Sequence, residues 1–253
     1  MNKIAMITGA TAGIGKATAY KFAKEHYNLI LTGRRAAILD EVSKDLEQTY
    51  GITVYKMELD VRDNNEVEKQ IKALPDAWEK IDVLLNNAGL AVGLNPIQDG
   101  LIEDWERMID TNIKGLLYVS RAISPLMITH AKGHIVNIGS IAGRDAYPNG
   151  NVYCGTKAAV DSITRGMRID LLKHGIKVTL IEPGAVETEF SVVRFKGDQE
   201  KADNVYKGFT PLKAEDIADA VYYVCSLPQH ININDMLIMP TSQAAATIID
   251  KKL

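Results

Sequence analysis

"TGATAGIG", residues 8–15, follows without a break on the apolar run "KIAMIT" (3–8) and opens into a segment of helical period from about Gly13 to Glu25. A strand that ends in three glycines and turns straight into a helix admits two readings. One is a tight turn that needs positive φ, which glycine adopts freely. The other is a cradle, in which Gly9, Gly13 and Gly15 let the backbone approach a pyrophosphate whose charge sits on the helix N-terminus. The spacing is GxxxGxG rather than the commoner GxGxxG. Three glycines directly after a buried strand favour the cradle.

The same strand–helix alternation runs through the rest of the chain. Apolar runs at "NLILT" (28–32), "TVYKMEL" (53–59), "IDVLLNN" (81–87), "HIVNIGS" (134–140), "KVTLIEP" (177–183) and "MLIMP" (236–240) read as strands. Between them, Leu39/Val42/Leu46 and Val67/Ile71/Leu74 mark helix faces. Further helices are expected at about 103–127, 152–173 and 214–226. Runs that are apolar throughout suit parallel strands buried on both faces. The pattern predicts one α/β domain over residues 1–253, doubly wound in the Rossmann manner, with a seven-stranded parallel sheet and helices on both sides. Residues 184–212 are longer than a usual connection, and such an insertion after a strand end is commonly a lid or substrate loop.

Composition narrows the function classes. With 46% hydrophobic and 24% charged residues and a net charge of −3, the chain resembles an ordinary globular enzyme and carries no basic block for nucleic acid or an anionic membrane. Cys154 and Cys225 are too few for a disulfide framework, which points to a reducing compartment. With five His and two Cys in the chain, a metal site is not expected. The run in "MNKIAMITGA" is too short for a signal peptide, and no 18-residue apolar stretch exists, so a cytoplasmic protein is expected.

Two arginines, Arg34 and Arg35, end the second strand, with no acid before Asp40. An acid there would hold the ribose hydroxyls of NAD and repel a 2′-phosphate, whereas a guanidinium clamps that phosphate with paired hydrogen bonds. The alternative is two solvated loop arginines. Position at a strand end favours NADP(H).

In "NVYCGTKAAV" (151–160), Tyr153 and Lys157 share one helix face one turn apart. Tyrosine titrates near pH ~10, and a nearby ammonium lowers that value toward the working range. The same spacing recurs at Tyr20 and Lys24, so spacing alone does not decide. With "NNAG" at 86–89, Asn112, and Ser140 thirteen residues before Tyr153, however, the whole set resembles the short-chain dehydrogenase/reductase family, over nearly the full length. Tyr20–Lys24, behind the glycine turn with no strand-end serine beside it, is then a surface pair.

The resemblance implies roles. Tyr153 would exchange the proton of the substrate oxygen, Ser140 would hydrogen-bond that oxygen, Lys157 would hold the nicotinamide ribose, and Asn112 would anchor a relay water. Cofactor contacts would come from Thr8, Gly9, Thr11, Gly13, Ile14 and Gly15, from Arg34 and Arg35, and from Asp60 and Val61. Asn87, Ala88 and Gly89, together with Pro183, Gly184, Val186 and Thr188, would complete them. Asp60 is equally suited to capping a turn. A homotetramer pairing the long helices is also implied.

The stretches "LPDAWEKIDVLLNNAGLAVG", "EDWERMIDTNIKGL", "IEPGAVETEFSVVRFKGD" and "LPQHININDMLIMP" resemble more closely the NADP-dependent 3-hydroxy acid dehydrogenases. That group acts on serine, allo-threonine and related 3-hydroxy acids, and on malonic semialdehyde. A 3-hydroxy or 3-oxo acid substrate needs a cationic partner, and Arg194 is the candidate; a solvated loop arginine is the other reading. Two further alternatives stand beside this one within the family. Reduction of 3-oxoacyl groups on acyl carrier protein is disfavoured because the last strand is followed by "MPTSQAAA" rather than a Gly-Gly pair. General carbonyl reduction remains. A non-catalytic NADP-binding regulator would be expected to lack Tyr153 or Lys157.

Overall fold

Strands form where the apolar runs lie. In the computed structural model, which describes residues 2–252, the chain begins with β1 (Ile4–Ile7), α1 (Gly13–Lys24), β2 (Asn28–Gly33), α2 (Ala36–Tyr50), β3 (Val54–Glu58) and α3 (Asn64–Lys72). It continues through β4 (Val83–Asn86), α4 (Ile102–Ile109), α5 (Leu116–Thr129), β5 (His134–Ile138), α6 (Asn151–Leu171) and β6 (Lys177–Pro183). Short elements follow: β7 (Val186–Glu187), α7 (Phe190–Arg194), α8 (Gln199–Asn204) and β8 (Leu212–Lys213). Then come α9 (Ala214–Ser226) and β9 (Asp235–Ile238).

Seven strands make one parallel sheet in the order β3-β2-β1-β4-β5-β6-β9. The chain builds outward from β1 to β3, then returns so that β4 pairs with the other side of β1, Ile7 opposite Leu85. That reversal leaves a crevice beyond the C-terminal ends of β1 and β4, where nothing crosses over.

Alternate strand residues feed two cores. Ala5, Ile7, Leu29, Leu31, Leu85 and Val136 face Phe22 of α1, Leu39 and Leu46 of α2, and Ile217 and Val221 of α9. Their neighbours Ile4, Met6, Ile30, Leu84, Ile135 and Val178 face Val67 and Ile71 of α3 and Val119, Ile123 and Met127 of α5. Burying a side chain of this size contributes ~1.5–3 kcal/mol, which is why the inner strands carry apolar residues on both faces. The edge strands differ. Lys56 and Glu58 on β3, and Asp235 and Leu237 on β9, are exposed.

Two departures from the sequence reading bear on function. The helix expected at about 103–127 is interrupted by a π-helical turn, Asp110–Gly115, between α4 and α5. Residues 184–212 are not an open loop. They hold α7 and α8, and a parallel pairing of β7 with β8 (Val186 opposite Leu212) closes the segment at its base.

At the opposite end of the sheet, His134 is buried on β5. Thr179 spends its hydroxyl proton on the Ile233 carbonyl (2.6 Å), so its oxygen accepts from His134 Nε2 (2.8 Å), and Nδ1 has no partner. Burial, with the Lys177 ammonium adding to it, holds the imidazole down to about 3. An unfolded histidine titrates near ~6.5, so below that pH the unfolded chain binds a proton that the folded chain refuses. We expect stability to fall as pH drops, by about 2 kcal/mol from this residue at about pH 5 relative to about pH 8, and His134→Gln to remove that contribution in urea titrations at those two pH values.

Candidate active site

The crevice is a cleft of about 560 Å³ over the ends of β1, β2, β4, β5 and β6. The glycine turn forms its floor. Gly9 and Gly13 take φ of +66° and +49°, and a Cβ on Gly15 would lie 2.4 Å from the Gly9 carbonyl oxygen. Helix α1 starts at Ala12 with no side-chain cap and no acid in its first turn. Its free N–H groups and positive dipole end are therefore open to an anion, and the turn fits a pyrophosphate.

Thr8 and Asn87 brace this floor. Thr8 Oγ1 accepts the amide hydrogens of Asn87 and Ala88, both at 3.0 Å, and donates to the Leu85 carbonyl. Asn87 Nδ2 donates to the Thr8 carbonyl at 2.9 Å. Gly9, Thr11, Gly13 and Ile14 line the cleft, as do Val61 and Asn87 to Gly89. Pro183, Gly184, Val186 and Thr188 form its opposite wall. Thr8, Gly15 and Asn112, expected to contact ligands, lie behind the lining and support it.

The arginines at the end of β2 diverge. Arg34 is half-exposed, with a guanidinium nitrogen 3.9 Å from Asp60. Asp60 itself accepts a forked pair from Arg62, which holds its carboxyl below the usual carboxylate range. Arg35 turns back over the glycine turn, donating to Thr11 Oγ1 (3.2 Å), and reaches Glu189 across the cleft at 3.1 Å. Neither is simply solvated.

On the other side, Ser140 ends β5 and caps a single 3-10 turn, its Oγ accepting from the Ala142 amide at 3.1 Å. Arg144 ties that turn to the buried Glu182 of β6, with Nε at 2.9 Å. Tyr153 and Lys157 enter the cleft from the first turns of α6, and both are buried. Lys157 Nζ donates to the Ile138 carbonyl (2.8 Å), and burial brings its pKa down to about 8. For Tyr153 the expected lowering by Lys157 does not prevail. Burial pushes the phenol up and Tyr147 adds to it, while the opposing influences are the Arg194 charge and the Ser140 hydroxyl. Lys157 Nζ stands 6.0 Å from the Tyr153 ring centre and the Arg194 guanidinium 5.1 Å.

The Asn112 side chain is fully engaged. It accepts from the Leu90 amide (2.9 Å) and donates to the Leu90 carbonyl (2.8 Å) and to Thr156 Oγ1 (3.0 Å). Tyr20 and Lys24 lie outside the cleft on α1, with the Tyr20 hydroxyl bonded to Asp45.

Arg194 sits on α7, inside the cleft rather than on an exposed loop. Its guanidinium packs within 5.1–5.6 Å of the ring centres of Tyr153, Tyr147 and Phe190, and one NH₂ donates to the Tyr147 hydroxyl. Its Nε is buried with no partner. Sequence reasoning missed Tyr147, Phe190 and Gln243. Tyr147 stands in a Pro/Asn/Gly turn without periodicity. Gln243 enters the lining because residues 241–250 fold back, pairing Gln243 with Ile249.

A glycine turn at the switch point of a parallel sheet defines a doubly wound dinucleotide-binding protein. More narrowly, the chain belongs to the short chain dehydrogenase family, whose model matches residues 3–199. The NADP-dependent 3-hydroxy acid dehydrogenase YdfG of Salmonella typhi is 48% identical over 244 residues, 96% of this chain and 97% of that one. Sulfoacetaldehyde reductase 2 of Chromohalobacter salexigens is 46% identical over 253 residues, 99% and 100% of the two chains. A solved structure described as the closed form of serine dehydrogenase complexed with NADP+ matches with a TM-score of 0.92 at 45% identity, covering 99% of this chain and 100% of that one.

Replacing Asn112 by Ala strands the Leu90 amide and carbonyl in the interior. We expect Asn112→Ala to lose about 3 kcal/mol of stability by urea denaturation, at ~1–3 kcal/mol for each orphaned group.

Proposed function

We propose that this protein moves a hydride between NADP(H) and a 3-hydroxy acid or its 3-oxo partner, of the serine, allo-threonine and 3-hydroxypropionate/malonic semialdehyde class. The observation that carries the reading is Arg194, a half-buried cation whose Nε is buried without a partner beside Tyr153. A buried, unpaired donor is costly, and an anionic substrate group would satisfy it. The 3-hydroxy acid dehydrogenase and serine dehydrogenase relatives support the same class.

In this reading NADP(H) supplies or accepts the hydride, held by the glycine turn with Arg34 and Arg35 toward its 2′-phosphate. Tyr153 holds the proton. With burial raising its pKa, the phenol stays protonated and donates to the carbonyl oxygen of the oxo acid; oxidation runs through the reverse transfer. Ser140 hydrogen-bonds that oxygen as charge develops. Lys157 holds the nicotinamide ribose, and the π-helical turn at Asn112 anchors the relay water. Arg194 pairs with the carboxylate and fixes which carbon faces the cofactor.

A 2-hydroxysulfonate is the second reading, favoured by the sulfoacetaldehyde reductase relative. A sulfonate in the place of the carboxyl carbon keeps the same spacing to the hydroxyl, and Arg194 would hold either anion. We further propose a homotetramer in the cytoplasm. The exposed Ile109, Leu117 and Ile169 near the long helices support association, and two free cysteines suit a reducing compartment.

Absorbance at the reduced-nicotinamide band tests this directly, with L-serine, 2-hydroxyethanesulfonate and a neutral alcohol as substrates. We expect turnover of an anionic substrate with NADP⁺ well ahead of NAD⁺; turnover of the neutral alcohol alone would discard the acid specificity. Arg34→Ala should lower kcat/KM for NADP⁺ about tenfold more than for NAD⁺. Arg194→Met should lower kcat/KM for the acid by about 10–100-fold, and a change within about threefold removes its role.

A further inference from the structure

Arg194 belongs to a helix of five residues, too short to hold itself at a fixed depth. Its C-terminal end is built with unusual chemistry. The Gly197 amide bonds the Val192 carbonyl (2.9 Å) and the Lys196 amide bonds the Val193 carbonyl (3.1 Å). This paired ending requires a left-handed residue, usually glycine. Here it is Lys196, at φ +54°. A side chain is disfavoured in that conformation, and it persists only where the surroundings hold it.

The surroundings are on α4. Lys196 Nζ lies 2.8 Å from Asp104 Oδ2, and the Asp104 side chain is only 14% exposed. The same carboxylate oxygen occupies the space a Cβ on Gly93 would need, at 2.7 Å, and Gly93 has φ +73°. Gly93 in turn donates its amide hydrogen to the carbonyl of Arg194 itself, at 3.0 Å. The end of α7 is thus gripped twice from the opposite bank: at Arg194 by Gly93, and two residues on by Asp104 through Lys196.

We propose that Gly93, Asp104 and Lys196 form a clamp that positions the Arg194 guanidinium for the substrate acid, with Lys196 and Asp104 as positioning residues. The clamp rests on the reading of Arg194 as the acid's partner. It predicts an effect on affinity for the acid, with the chemical step and the cofactor site untouched.

Lys196→Gly separates this from a merely structural role, because glycine suits the left-handed position and removes only the ammonium. In steady-state assays with L-serine and NADP⁺, Lys196→Gly and Asp104→Asn should each raise the KM for serine about tenfold, with kcat and the KM for NADP⁺ within about twofold. Lys196→Gly should keep its thermal midpoint, Lys196→Arg should restore the serine KM, and in an Arg194→Met background Lys196→Gly should add nothing. A serine KM within about twofold in Lys196→Gly, while Arg194→Met is impaired, overturns the clamp and leaves the Arg194 reading standing. Losses that follow a fallen thermal midpoint overturn it as well. If Arg194→Met itself is unimpaired, the reading of Arg194 falls, and the clamp falls with it.

Discussion

One threonine hydroxyl joins the two halves of the sheet at the place where a ligand must bind. Thr8 Oγ1 gathers the Asn87 and Ala88 amides and gives its own proton to Leu85, all in the interior. Those amides follow a strand end and have no ladder partner, so the hydroxyl supplies what the sheet no longer can. The arrangement continues inward. Asn86 donates to Ser120 and Asn137, and Asn137 to Thr164, joining β4, β5, α5 and α6 inside an apolar core. Each such bond is worth only ~1 kcal/mol when made but ~1–3 kcal/mol when broken on one side. A slip in register would break several at once, so the polar chain selects one alignment of the strands that end at the cleft.

Charge inside the cleft is governed by burial first and by partners second. Lys157 donates to the Ile138 carbonyl, and burial brings its pKa down to about 8. Arg194 brings a second cationic group to the same part of the cleft. Its place among three aromatic rings gives it favourable contact with their faces while leaving Nε free. Burial, against the pull of the Arg194 charge, is what keeps the Tyr153 phenol above its ordinary value.

The inner sheet was legible in the sequence because strands covered on both faces must be apolar at every position. Bounds shifted by a residue or two at the edge strands β3 and β9 and equally at the inner strands β4 and β5, because an apolar run does not say where the ladder stops. Tyr153, Lys157 and Ser140 were legible only as part of the whole set of motifs, because Tyr20 and Lys24 share the same spacing. Asn112 was named from the resemblance, without a structural reason. The residue matters through its side chain, which secures the turn after β4, and nothing in "IDTNIKG" signals that the helix widens there. Arg194 was found by its charge, whereas Tyr147 and Gln243 came from a turn and a returning tail, where no period exists to read.

The segment from 184 to 212 spans the cleft on unequal supports. At the nucleotide end it is tied by Arg35 and Glu189, both substantially exposed, and a pair of that kind contributes ~0–1 kcal/mol and weakens with salt. At the substrate end it is tied by a backbone hydrogen bond to Gly93, by the Lys196–Asp104 pair, and by Phe190 packed 5.7 Å from Tyr153. At its base the β7–β8 pairing fixes both ends of the segment. The rank order of these ties sets what can move independently. The contact over the glycine turn can part at little cost, whereas displacing Arg194 also disturbs the packing around Tyr153. Held this way, the Arg194 guanidinium stays in register with Tyr153 whatever the nucleotide end is doing.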